Sequence, residues 1–204
     1  MGMDITVLIV DWAHLTEIAP DERLEVLQES AYADDDDECD EVDAGWVWPA
    51  EPDRSWLGRY EFGGTLGSYK PHFWAAQAWE DVRDAAGTVL RTTLDDFLEA
   101  LIWWGPEAES DTEHVDADVF PSEDGLWRPG PLIARGPRPV ARLNRCWQEA
   151  APALPRLREP YARHAACPGR WIADFDEFTA LLSGWAEVVG EAQRRRWGLI
   201  GLPI

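Results

Sequence analysis

Residues 174–202, DFDEFTALLSGWAEVVGEAQRRRWGLIGL, carry the clearest structural signal in the chain. Phe175, Phe178, Leu181, Leu182, Trp185, Val188, Val189 and Ala192 recur at steps of three and one, which lays them along one face of an amphipathic helix. Asp174 followed by Glu177 reads as a capping box with Asp in the Ser/Thr place. Arg194, Arg195 and Arg196 fall at the negative end of the helix dipole. The pattern predicts a helix running to about Trp197 and ended by Gly198. Leu199-Ile200-Gly201-Leu202 then forms a terminal strand.

That strand needs a partner, and the other end of the chain supplies one. Ile5 to Val10 (ITVLIV) is a continuous β-branched and aliphatic run, as expected of a strand buried on both faces. A helix should open at Pro20, with Leu24, Leu27 and Ala31 facing inward. Between these ends, Trp46-Val47-Trp48, Tyr60-Glu61-Phe62 and Leu132-Ile133-Ala134 read as short strands. Further helices are predicted from Ser68–Pro71 to a close at Gly87, from Val89 to Trp104, and from Pro139 onward with a kink near Pro152 and Pro155. The fold class is α+β: a small mixed sheet that includes the N- and C-terminal strands, packed by four to five helices. One domain spans 1–204, with acidic loops at 33–45 and 105–131.

Charge is the compositional outlier. The 204 residues carry a formal net charge of −21, and 13 of them are tryptophan. Residues 1–127 hold 32 acids against 6 bases, while residues 128–204 hold 7 acids against 12 bases. A field of this sign repels nucleic acid and anionic membranes and favours a basic protein partner or cations. No stretch is long and apolar enough to span a bilayer. The start MGMDIT fits a myristoylation pattern but lacks a supporting basic cluster, and residues 1–12 lack the basic region of a signal peptide. The three cysteines are odd in number and widely spaced, which argues against a disulfide framework. The expected location is the cytoplasm. One lysine against 17 arginines fits a GC-rich bacterial genome.

Three segments invite chemistry. The acidic loop could offer Asp36, Glu38 and Asp40 to a divalent cation, but Glu41 stands where an EF-hand needs Gly and Val47 where it needs Glu. Glu113, His114, Asp116 and Asp118 form a second acidic run, without the spacing of a zinc motif. Segment 62–72, FGGTLGSYKPH, is the most site-like. It is a glycine-rich loop leading into a predicted helix N-terminus, where backbone N–H groups attract anions. Ser68, Tyr69, Lys70, His72 and Trp74 are its candidate ligand-binding residues. It matches neither a P-loop nor a dinucleotide fingerprint, and Ser68 and Lys70 are too close for an SxxK pair. The bland alternative is a structural turn with Ser68 capping the helix. No catalytic constellation and no cofactor motif is present.

The tail from Leu154 to Leu202 runs through a leucine helix, Tyr161, Pro168, Trp171, the long helix from Asp174 and a closing strand. Together with the MGM start, this order resembles the YfbM-like family of bacterial proteins. The resemblance covers about a quarter of the chain and implies an α+β fold without implying a chemistry. From the residues themselves, the leading expectation is a non-enzymatic, acidic protein-binding or regulatory domain of the immunity type. The alternative is a small enzyme or ligand-binding domain with an anion or sugar site near 62–72. A concave pocket against Lys70 or His72 would favour the second, and a flat acidic face the first.

Overall fold

The computed structural model describes residues 4–32, 44–65, 67–103, 115–116, 118–121, 130–165 and 174–203. The two terminal runs are neighbours, as their composition predicts. β1 (Ile5–Val10) pairs antiparallel with β5 (Gly198–Pro203) over six residue pairs, from Ile5 opposite Pro203 to Val10 opposite Gly198. β2 (Gly45–Val47), β3 (Leu57–Glu61) and β4 (Ile133–Arg135) complete a five-stranded sheet of order β2-β3-β1-β5-β4. The α+β class is as expected, but the ladders between named strands are antiparallel where a mixed sheet was foreseen. Parallel neighbours need a βαβ crossover. Here β3 comes to β1 from its neighbour β2 and β5 comes from the last helix, each running opposite to β1, and an isolated bridge from Val115 to Ala134 is parallel.

β1 is buried along its whole length because both sheet faces are covered. Ile5, Val7 and Ile9 join one apolar cluster with Tyr60, Phe62, Leu199 and the larger helices. Leu8 and Val10 join a second with Leu57, Ile200, Leu202, Leu15, Leu27 and Val119. The second face is built by α1 (Trp12–Glu17) and α2 (Arg23–Tyr32). α1 is an addition to the expected elements: Asp11 caps it by accepting from the Ala13 and His14 N–H groups. α2 consequently begins at Arg23, later than Pro20. The Arg23 guanidinium is buried and donates to the carbonyls of Leu15, Thr16 and Ile18 at the end of α1 and to that of Val119.

The first face is covered by α3 (Lys70–Val82), α4 (Thr88–Leu98), α5 (Pro137–Ala150), α6 (Arg158–Ala165) and α7 (Phe175–Arg195). Helical segments exceed the four to five expected for two reasons. One is the extra α1; the other is Pro152 and Pro155, which confine Ala151–Leu157 to a 3₁₀ stretch between α5 and α6. Gly87 does not close α3. It is the N-cap of α4, and α3 ends instead in a short 3₁₀ turn over Arg83–Ala85.

α7 is the element that positions the site. Asp174 accepts from the N–H groups of Asp176 and Glu177 at 2.9 and 2.8 Å, which satisfies two orphan donors of the first turn. Its predicted apolar face is buried without exception. The helix stops at Arg195 because Arg196 turns left-handed at φ 62°. Gly198 is therefore not the helix terminator. It starts β5 beneath the Trp12 ring, which leaves no room for a Cβ. No helix among the described residues is long and apolar enough to cross a membrane.

Candidate functional site

The connection from β3 to α3 is held against the N-terminal strand. The Ile5 N–H donates to the Gly67 carbonyl at 2.8 Å, and Asp4 and Ser68 form an isolated bridge. Gly64 and Gly67 sit at φ 76° and 74°, a region in which a side chain would be strained. Two of the glycines that made this segment look like an anion cradle are thus accounted for by the turn itself.

α7 passes beside this connection, and a groove of about 780 Å³ lies between them. Such a volume falls within the range of roughly 300–1,000 Å³ seen for small-ligand sites. One wall is Gly63, Gly64, Thr65, Ser68, Lys70 and Pro71; the other is a stripe of α7 made of Glu177, Ala180, Leu181, Ser183, Gly184 and Glu187. Tyr60 and Phe62 also line it. The cleft exists because both walls are rich in residues with little or no side chain. Gly184 has a second reason to be small: a Cβ there would come within 2.9 Å of the Phe62 ring.

The polar side chains of the groove are two carboxylates, one ammonium and four hydroxyls. The Tyr60 hydroxyl donates to Glu187 Oε2 at 3.0 Å, and burial, reinforced by this bond to the Glu187 carboxylate, pushes the phenol up to about 12. Ser68 Oγ accepts from the Lys70 N–H at 3.3 Å, so Ser68 serves the start of α3, one position before the Tyr69 N-cap. Pro71 has no N–H to offer, and the Phe73 N–H bonds the Tyr69 carbonyl. The α3 N-terminus therefore presents few of the donors that make such an end attractive to anions. Ser183 and Thr65 donate to the carbonyls of Thr179 and Phe62.

The five candidates of the 62–72 region do not act together. Ser68 and Lys70 line the groove, whereas His72 lies in the core beneath it. His72 Nδ1 accepts from the Trp185 indole N–H at 3.1 Å, which leaves the neutral ring's proton on Nε2. Burial lowers its pKa to about 3, and Phe62 and Trp185 meet its ring edge-to-face. His72 is thus a neutral core histidine. Tyr69 stacks on it at 6.0 Å, and burial pushes the Tyr69 phenol up to about 12. Trp74 is half-buried against the core and meets Phe73 edge-on.

The acidic candidates fare differently. Asp36, Glu38 and Asp40 lie outside the described residues, as do Glu113 and His114. Asp116 Oδ1 accepts from the Asp118 N–H, as in a local turn. Among the described residues, no group of three His, Cys, Asp or Glu side chains is placed to hold a metal ion.

None of Tyr60, Glu177, Gly184 and Glu187 is a candidate site residue from the sequence, where Glu177 reads only as part of a helix cap and Tyr60 as part of a short strand. The one hint was Ala180 and Gly184, small residues one turn apart on the shoulder of the α7 apolar face. Glu177 and Glu187 stand ten residues apart on one helix, about 15 Å along its axis. No protein-family model, curated protein or solved structure matches the chain.

Proposed function

We propose that this protein is a binding domain that takes up a basic segment of a protein partner in the groove beside α7. In this reading it acts in the cytoplasm as a regulatory or immunity-type factor. The observation that carries the reading is the Glu187 carboxylate, held by the Tyr60 hydroxyl in a groove that Tyr60 and Phe62 also line. A carboxylate next to aromatic rings is the setting in which a guanidinium or ammonium gains both a charge partner and a π face. Glu177 adds a second carboxylate in the same groove, and the −21 net charge steers basic partners toward it.

A second reading, an anion held by Lys70, has Ser68 and Lys70 on the groove wall in its favour. Against it stand the two groove carboxylates and the N–H groups already engaged at the start of α3.

The test is calorimetric titration with an arginine-rich peptide and, separately, with inorganic phosphate, at two salt concentrations. The peptide should bind, more weakly at high salt. Glu187→Gln should weaken it by about 0.5–1 kcal/mol, or roughly two- to five-fold in Kd, as for an exposed ion pair. If Glu187→Gln and Glu177→Gln leave the affinity untouched, the peptide is reading only the overall charge and the groove assignment fails. Binding of phosphate that is lost in Lys70→Ala would move the assignment to the second reading.

A further inference from the structure

The spacing of the groove carboxylates sets the form of the occupant. We infer that the segment it takes up is an extended one, with basic residues at positions i and i+4 and an apolar residue at i+2. This inference rests on the reading of the groove as a site for a basic partner.

The argument is geometric. Glu177, Ala180, Leu181, Gly184 and Glu187 form one stripe of α7, so the groove runs along the helix axis. The backbone positions of Glu177 and Glu187 are separated by about 15 Å of helical rise, and that sets the spacing of the side chains that start from them. An extended chain advances about 3.3 Å per residue, so four residues cover about 13 Å and five about 17 Å. Alternation decides between these lengths, since only an even offset puts both side chains on the same face of the strand. Four is the even value, and side chains as long as Arg or Lys make up the remaining distance.

Alternation also fixes the residue between them. The i+2 side chain points the same way as the two basic ones, and so faces the middle of the groove. The part of the α7 stripe between the two glutamates is Ala180, Leu181 and Gly184, and Phe62 also lines the groove, so the surface on offer is apolar or small. A leucine-sized side chain suits that position. The i+1 and i+3 side chains face solvent and carry no requirement. A helical segment would need different spacing and would present a width of about 10–12 Å to the groove.

The experiment is an NMR titration of the isotopically labelled full chain with two peptides of identical composition. One is acetyl-Ala-Arg-Ala-Leu-Ala-Arg-Ala-amide, and the other is acetyl-Ala-Ala-Arg-Arg-Ala-Leu-Ala-amide. The first should bind about fivefold more tightly, since the second can place only one arginine on a carboxylate. Glu177→Gln and Glu187→Gln should each remove that preference, and Asp53→Asn, outside the groove lining, should leave it intact. Equal affinity of the two peptides for the unaltered protein overturns the spacing while leaving the basic-partner reading standing. Absence of binding by both overturns the two together. Spermine binding in the groove as tightly as the first peptide overturns the peptide assignment in favour of a polyamine.

Discussion

Lowering the pH from 7 to 4 should cost the folded protein about 3 kcal/mol through His72 alone. In the folded chain burial holds this imidazole at a pKa of about 3, while an ordinary histidine titrates near 6.5. Between these values the unfolded chain binds a proton that the folded chain refuses. Each pH unit in that window therefore lowers stability by about 1.4 kcal/mol. The contribution is fully present above about 6.5 and is lost progressively as pH falls toward 3. A competing effect has the opposite sign: protonating carboxylates relieves the repulsion of a chain with net charge −21. The two are separated by difference.

Urea unfolding of the unaltered protein and of His72→Asn should be followed at pH 7, 6, 5 and 4. Asn can still accept the Trp185 N–H but cannot titrate, so its curve carries the carboxylate effect alone. The gap between the two proteins should close by about 3 kcal/mol over this range, or roughly 1.5 M in midpoint at a slope near 2 kcal/mol/M. A direct check is the imidazole carbon resonances of His72, which should hold still from pH 7 to 4. Parallel pH profiles, or a His72 resonance that titrates near 6.5, would refute the burial argument.

Two further substitutions test the packing. Gly198→Ala should lower stability by about 1–3 kcal/mol in thermal or urea unfolding, since its Cβ would strike the Trp12 ring and come within 2.9 Å of the Arg135 carbonyl. Gly184→Ala should come out near neutral in the same assay: contact with Phe62 at 2.9 Å is offset by about 0.8–1.0 kcal/mol of helix propensity. Asp174→Ala should cost about 1 kcal/mol, because it strips the acceptor from the Asp176 and Glu177 N–H groups, and urea midpoints with an unchanged slope would report it.

The sequence by itself determined the elements whose residues lie close together along the chain. The apolar face of α7, its Asp174 cap and the paired strands β1 and β5 are written in local spacing, which the backbone geometry of helix and strand turns directly into faces. Even so, the ends of elements slipped. Gly198 looked like a helix terminator, but Arg196 took the left-handed turn and Gly198 was needed under Trp12.

The tertiary structure alone decided the candidate site. Tyr60 and Glu187 are 127 residues apart in the chain, and His72 and Trp185 are 113 apart. No local pattern announces that such residues will meet, because side-chain pairing across a fold leaves no period in the sequence. His72 was read as a ligand-binding residue because it followed a glycine-rich loop. Packing put it under the groove as a neutral core ring, and put the carboxylates of a distant helix in its place on the surface.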